Sequence, residues 1–196
     1  MSRPTLRIAV ACAPIVGGAL VAAAALEPPL FRALVREDSV LEWLEVIAWA
    51  VAAVTATLLA RRGAWLWALV AIAAVIVIGE ELSWGQRLFD YGTPDALLDG
   101  DKQEEANVHN VRSFETPSRL AAIAVAAAAV RFVPWFLAPA FVVTAGYEAV
   151  RLFAGESPGY TLAKWSEWPE LCFAAGIAAA AVIRLRSIES RSCQTS

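Results

Sequence analysis

Long runs of alanine, valine, leucine and isoleucine, separated by arginine, glutamate, proline and glycine, divide the chain into apolar blocks. A membrane-crossing helix needs about 20 such residues for a hydrocarbon core of roughly 30 Å. Six blocks fit that ruler: Leu6–Leu26, Leu41–Ala60, Ala64–Trp84, Pro117–Phe132, Trp135–Phe153 and Trp168–Leu185. None alternates with the two-residue period of a barrel strand, so helices are the expected element. The fourth block is the weakest, because Arg131 and Pro134 interrupt it, and a proline there also allows the fourth and fifth blocks to form one broken helix. The predicted fold is an all-α, polytopic transmembrane helix bundle of about six spans. Residues 1–188 form its single transmembrane domain and residues 189–196 a cytoplasmic tail.

Basic residues give the bundle a direction. With the N-terminus in the cytoplasm, Arg3, Arg7, Arg61, Arg62, Arg131, Arg184, Arg186 and Arg191 all fall on the cytoplasmic side, as the positive-inside rule requires. Both termini are then cytoplasmic. The first block, with Arg3 and Arg7 before it and Ala23 and Ala25 near its end, resembles a signal peptide; it is read as a retained span because it exceeds the usual core of about 7–15 residues. On the opposite side stand Glu27, Glu37 and Asp38, then Glu42 and Glu45, Glu80 and Glu81, Glu148, and Glu167 and Glu170. The longest polar stretch, residues 83–118, is placed there too, as an extracytoplasmic loop folding over or between the helices.

Composition agrees with this picture and narrows the partners. Hydrophobic residues make up 59% of the 196 positions and the mean hydropathy is +0.56, above the 45–50% typical of soluble domains. A net charge of −3 supplies no basic face for nucleic acid, so membrane lipid is the expected partner; the oligomeric state is left open. Cys12, Cys172 and Cys193 form no C-x-x-C pair and no disulfide framework. The tryptophans, Trp43, Trp49, Trp65, Trp67, Trp84, Trp135, Trp165 and Trp168, mostly lie at span ends and are read as interfacial anchors. Abundant alanine predicts close helix approach.

Three groups of residues carry candidate chemistry. Glu42 and Glu45, like Glu167 and Glu170, are three apart and share a helix face. At about 5–6 Å and an effective dielectric near 20, two such charges repel by roughly 3 kcal/mol. A cation, a shared proton, an arginine or enough water must relieve them; in the blandest case they only mark a wet helix start. Glu80 and Glu81 end an apolar helix and are followed by Gln86 and Arg87. The segment 103–110 holds Gln103, Glu105, Asn107, Asn110 and His109, the only histidine of the chain. Glu105 and His109, four apart, share a face as helix or as strand.

The string E-E-L-S-W-G-Q-R at 80–87, with E-A-N-V-H-N at 105–110, resembles a group of uncharacterised bacterial multi-pass membrane proteins with similar segments. That resemblance covers about a third of the chain. It implies a bacterial inner-membrane protein and no particular reaction. The tandem glutamates are also similar to those of CAAX-type intramembrane proteases. That family, however, places its arginine four residues after the second glutamate and uses two histidines on later helices, whereas here Arg87 lies six residues after Glu81 and His109 is the only histidine. Protease activity is not carried over.

The expectation drawn from these residues is an outward-facing carboxylate and histidine site of a metal-dependent membrane enzyme, a hydrolase or transferase acting on a lipid or lipid-linked substrate. Glu81, Glu105, His109, Glu45, Glu167 and Glu170 would ligate a divalent metal (zinc, manganese, iron or magnesium). Glu80 or Glu42 would act as general base, and Arg87 would face an oxyanion or phosphate, with Gln86, Gln103, Asn107 and Asn110 in support. A cation- or proton-coupled transporter or solute binder, and a non-catalytic membrane subunit, are the alternatives.

Overall fold

The computed structural model describes residues 2–35, 39–89, 112–154 and 164–192, and all regular elements among them are helical. Helix α1 (Arg3–Ala24) starts after Ser2, whose hydroxyl accepts from the Thr5 N–H. A short α2 (Pro28–Val35) follows. Helix α3 (Val40–Arg61) is capped by Ser39, which is buried and accepts from the Glu42 N–H at 3.3 Å. After the Gly63 turn, α4 (Leu66–Glu81) runs back. A 3-10 turn (Ser83–Gly85) and α5 (Gln86–Phe89) close that half. Then come α6 (Arg112–Phe132), α7 (Ala138–Ala154) and α8 (Glu167–Ser192).

Contacts along the helices give their directions. Helices α3 and α8 lie parallel: Trp49 meets Phe173 edge-on at 5.8 Å, and Arg62 at the end of α3 pairs with Glu189 near the end of α8 at 2.9 Å. Helix α7 is antiparallel to α8, since Phe141 packs on Phe173 while Thr144, further along α7, reaches back to Pro169. Helix α6 is antiparallel to α7: Ala126 packs with Leu137 and Phe141, and Arg119 pairs with Glu148. Arg7 lies over Phe136, just before α7, and Val21 and Ala24 at the far end of α1 join Phe31, Val35 and Leu41 near the start of α3. Among the described residues the six helices of 16 residues or more thus alternate in direction, and the N-termini of α3 and α8 share one end with the C-termini of α1, α4 and α7.

The packing is compatible with a lipid surround. Alanines fill the contacts: Ala52, Ala56, Ala74, Ala126, Ala174 and Ala181 are fully buried. Larger aliphatic side chains point outward, with Ile15, Leu20, Val54, Leu69 and Ile72 all more than half exposed. Water would oppose so much open apolar surface, whereas in lipid it is solvated and small residues let backbones approach. Among the described residues three helical stretches are long and apolar enough to cross a membrane: Arg3–Ala24, Pro28–Arg61, which contains α3, and Glu167–Arg191. The architecture is therefore all-helical and compatible with a membrane protein.

Several sequence expectations shift. The fourth and fifth blocks are separate antiparallel helices joined at 133–137, not one broken helix. Helix α4 stops at Glu81, short of Trp84, because Ser83 and Trp84 adopt left-handed φ values of 46° and 51°. Helix α6 begins at Arg112, inside the stretch expected to be loop, and α8 continues to Ser192, inside the expected tail. Hydropathy measures contact with hydrocarbon, and a helix continues in water past Arg184 and Arg186. Trp49 is not an interfacial anchor: it is 6% exposed in the core, while Trp165 and Trp168 pack against α1 and α2. Trp43, Trp65, Trp84 and Trp135 are exposed at helix ends, as belt residues are.

Candidate functional site

The shared end of α3, α4 and α8 gathers the carboxylates. Glu45 stands in the second turn of α3, 3% exposed, and accepts from the Trp49 indole N–H at 3.1 Å through Oε1. Its Oε2 is buried with no hydrogen-bond partner among the described residues. The charges of Glu81, Glu170 and Glu167 all act on Glu45, and those of Glu170, Lys164, Glu81 and Glu42 on Glu167. Three separate helices thus bring Glu42, Glu45, Glu81, Glu167 and Glu170 into one electrostatic neighbourhood.

Local sequence explains the placement. Ser39 caps α3 and sets Glu42 in its first turn; Pro169 sits in the first turn of α8, where its missing N–H costs nothing, between Trp168 and Glu170. Both helix N-termini point their positive dipole ends at these carboxylates, an effect of about 0.3–1 kcal/mol each. One carboxylate pair at about 6 Å repels by roughly 3 kcal/mol at an effective dielectric near 20, so helix dipoles alone do not offset the repulsion.

A second polar group adjoins the first across α8. The Tyr147 hydroxyl accepts from Arg151 Nη1 at 2.9 Å, and the charges of Glu170 and Glu148 act on Tyr147. The Tyr147 ring lies 5.5 Å from that of Trp165, whose indole N–H is buried without a partner among the described residues. Glu148 is paired with Arg119 at 3.0 Å, both side chains largely buried. The Thr144 hydroxyl lies 2.8 Å from the Pro169 carbonyl oxygen and ties α7 to the start of α8.

Beneath these groups polarity gives way to rings. Trp49, one turn below Glu45, meets Phe173, one turn below Glu170, and Phe173 meets Phe141 edge-on at 5.8 Å. The three rings form a floor across α3, α8 and α7.

Of the expected site residues, the structure brings together Glu42, Glu45, Glu81, Glu167 and Glu170. Glu80 accepts from the Trp84 indole N–H at 2.7 Å, and Gln86 opens α5 close by. Gln103, Glu105, Asn107, His109 and Asn110, and the side chain of Arg87, lie outside the described residues, as do Glu37 and Asp38. Among the described residues no set of three or more His, Cys, Asp or Glu side chains could hold a metal ion by itself. Sequence reasoning missed Tyr147, Arg151 and Trp165 as members of the site. Their spacing carried a signal, since Tyr147 and Arg151 are four apart and share a helix face. No protein-family model, curated protein or solved structure matches the chain.

Proposed function

We propose that the chain is a six-span bacterial inner-membrane protein with both termini in the cytoplasm, and that its carboxylate cluster is the outward-facing centre of a metal-dependent enzyme. The enzyme is a hydrolase or transferase acting on a lipid or lipid-linked substrate. The observation that supports this reading is Glu45. Its carboxylate is buried among the charges of Glu81, Glu167 and Glu170, and one of its oxygens has no protein partner among the described residues. Such an oxygen costs about 1–3 kcal/mol unless a ligand or proton satisfies it. An all-oxygen donor set favours magnesium or manganese over zinc. Transport is the weaker reading, because the Trp49, Phe173 and Phe141 floor puts the polar groups at one end of the bundle. A purely structural subunit gives no reason to bury Glu45 half-satisfied.

The test is Mn2+ binding by the detergent-purified chain, followed by the loss of the free-ion paramagnetic resonance signal. Tight binding that Glu45→Gln weakens at least tenfold is expected. Affinity unchanged in Glu45→Gln and in Glu170→Gln would overturn the reading.

A further inference from the structure

We infer that the end of the bundle opposite the carboxylates holds an anionic phospholipid headgroup, in the corner where the start of α1 meets the connection between α6 and α7. None of the residues of the proposed metal centre takes part, so the two readings fail separately. The starting point is an imbalance of charge. Among the described residues, Arg3, Arg7, Arg61, Arg131, Arg184 and Arg186 stand at this end with Glu189 as the only carboxylate, and Glu189 pairs with Arg62. Packing brings two of these arginines to one corner. Val10, one turn after Arg7, packs against the same buried core of Ala126, Leu137 and Phe141 as Val130 and Val133, which stand on either side of Arg131. The Arg7 guanidinium lies over the Phe136 ring, 5.6 Å from its centre.

Arg7 shares the face of α1 that carries the buried Pro14, Gly18 and Val21, so its cation is turned toward the bundle. It is nevertheless exposed, as Arg131 is, and neither meets a carboxylate among the described residues. The ring contact steadies the Arg7 charge and supplies no acceptor for its N–H groups. A phosphate supplies one, in the planar geometry that guanidinium matches. The surrounding surface selects the kind of phosphate. Leu6, Phe132 and Trp135 are all more than half exposed beside these arginines, and Trp135 stands edge-on to Phe136 at 5.9 Å. A soluble anion or an acidic peptide would pair with the arginines and leave those apolar side chains in water. A phospholipid covers both, its phosphate at the guanidiniums, its acyl chains along the apolar side chains and Trp135 at the headgroup level. Each arginine beside an anionic lipid contributes roughly fivefold in affinity, and two in one corner about 25-fold. A zwitterionic headgroup brings its own ammonium and forfeits most of that gain.

The experiment is native mass spectrometry of the full detergent-purified chain, titrated with phosphatidylglycerol or with phosphatidylcholine of the same acyl chains. Phosphatidylglycerol is expected to bind about tenfold or more tightly than phosphatidylcholine, and Arg7→Gln/Arg131→Gln should bring that ratio below about threefold. Equal binding of the two lipids overturns the inference. Arg61→Gln/Arg184→Gln removes the same charge from other helices at this end. A ratio that stays within about twofold of the unaltered chain supports a corner site; a fall as large as that of the Arg7 and Arg131 pair shows diffuse attraction and overturns it. Glycerol 3-phosphate, the headgroup without chains, should leave the bound lipid in place; full displacement at equal concentration assigns the corner to soluble anions and overturns the lipid assignment. Arg131 is exposed, so Arg131→Gln alone keeps the fold. In that variant, with thermal stability unchanged, a fall in the ratio of about threefold or more is expected, and an unaltered ratio overturns the site.

Discussion

The indole N–H of Trp168 donates to the backbone carbonyl oxygen of Pro14 at 2.8 Å, locking the start of α8 onto the middle of α1. The indole lies against Gly17 and Gly18, and a Cβ on Gly17 would collide with its ring. Gly17→Ala is therefore expected to lower thermal stability, by about 1–3 kcal/mol for an overpacked contact. Trp168→Phe, which loses the bond and part of the ring, should cost at least about 1 kcal/mol. Size-exclusion recovery after heating in detergent reads both.

Glu45→Gln should make the protein more stable while weakening it as a cation binder. Glutamine keeps an oxygen for the Trp49 N–H and replaces an ionisable group buried among carboxylates by a neutral one. A gain of about 1 kcal/mol or more is expected in metal-free buffer. A loss of stability would mean that the carboxylate is satisfied in some other way.

Two ion pairs at opposite ends of the bundle should behave differently. Arg119 and Glu148 are 15% and 10% exposed, so Arg119→Ala leaves a buried carboxylate behind and should cost about 3–5 kcal/mol, with partial recovery in Arg119→Ala/Glu148→Ala. Arg62 and Glu189 are 39% and 51% exposed, and Arg62→Ala should cost no more than about 1 kcal/mol. A double-mutant cycle on each pair checks the contrast.

Topology is open to direct measurement. Single cysteines at Glu27 and Lys164, in a background lacking Cys12, Cys172 and Cys193, should react with a membrane-impermeant maleimide in intact cells. Cysteines at Arg62 and Arg186 should react only after lysis. Labelling of residues 27 and 62 from the same side would defeat the six-span arrangement.

The sequence made the helices and their polar ends legible because apolar block length and the side on which charge falls are one-dimensional properties. The spacing of Glu42, Glu45, Glu81, Glu167 and Glu170 at helix ends was visible in the sequence, and in the structure their charges act on one another. What stayed hidden depends on azimuth. Helices α3 and α8 are apolar nearly all round, so no stripe announces that Trp49 and Phe173 face inward or that Leu44 and Ile47 face outward. The short α2 was missed because eight residues are too few for a span, although Phe31 and Val35 are buried. Tyr147, Arg151 and Trp165 were overlooked because, in a block judged by length and hydropathy, they look like the ordinary end of a span.

The Trp49 and Phe141 rings both meet Phe173 edge-on, each at 5.8 Å, so one side chain of α8 carries the aromatic contact to α3 and to α7. In a bundle whose other seams are filled by alanine, truncating that single ring would loosen three helices together, just under the carboxylates.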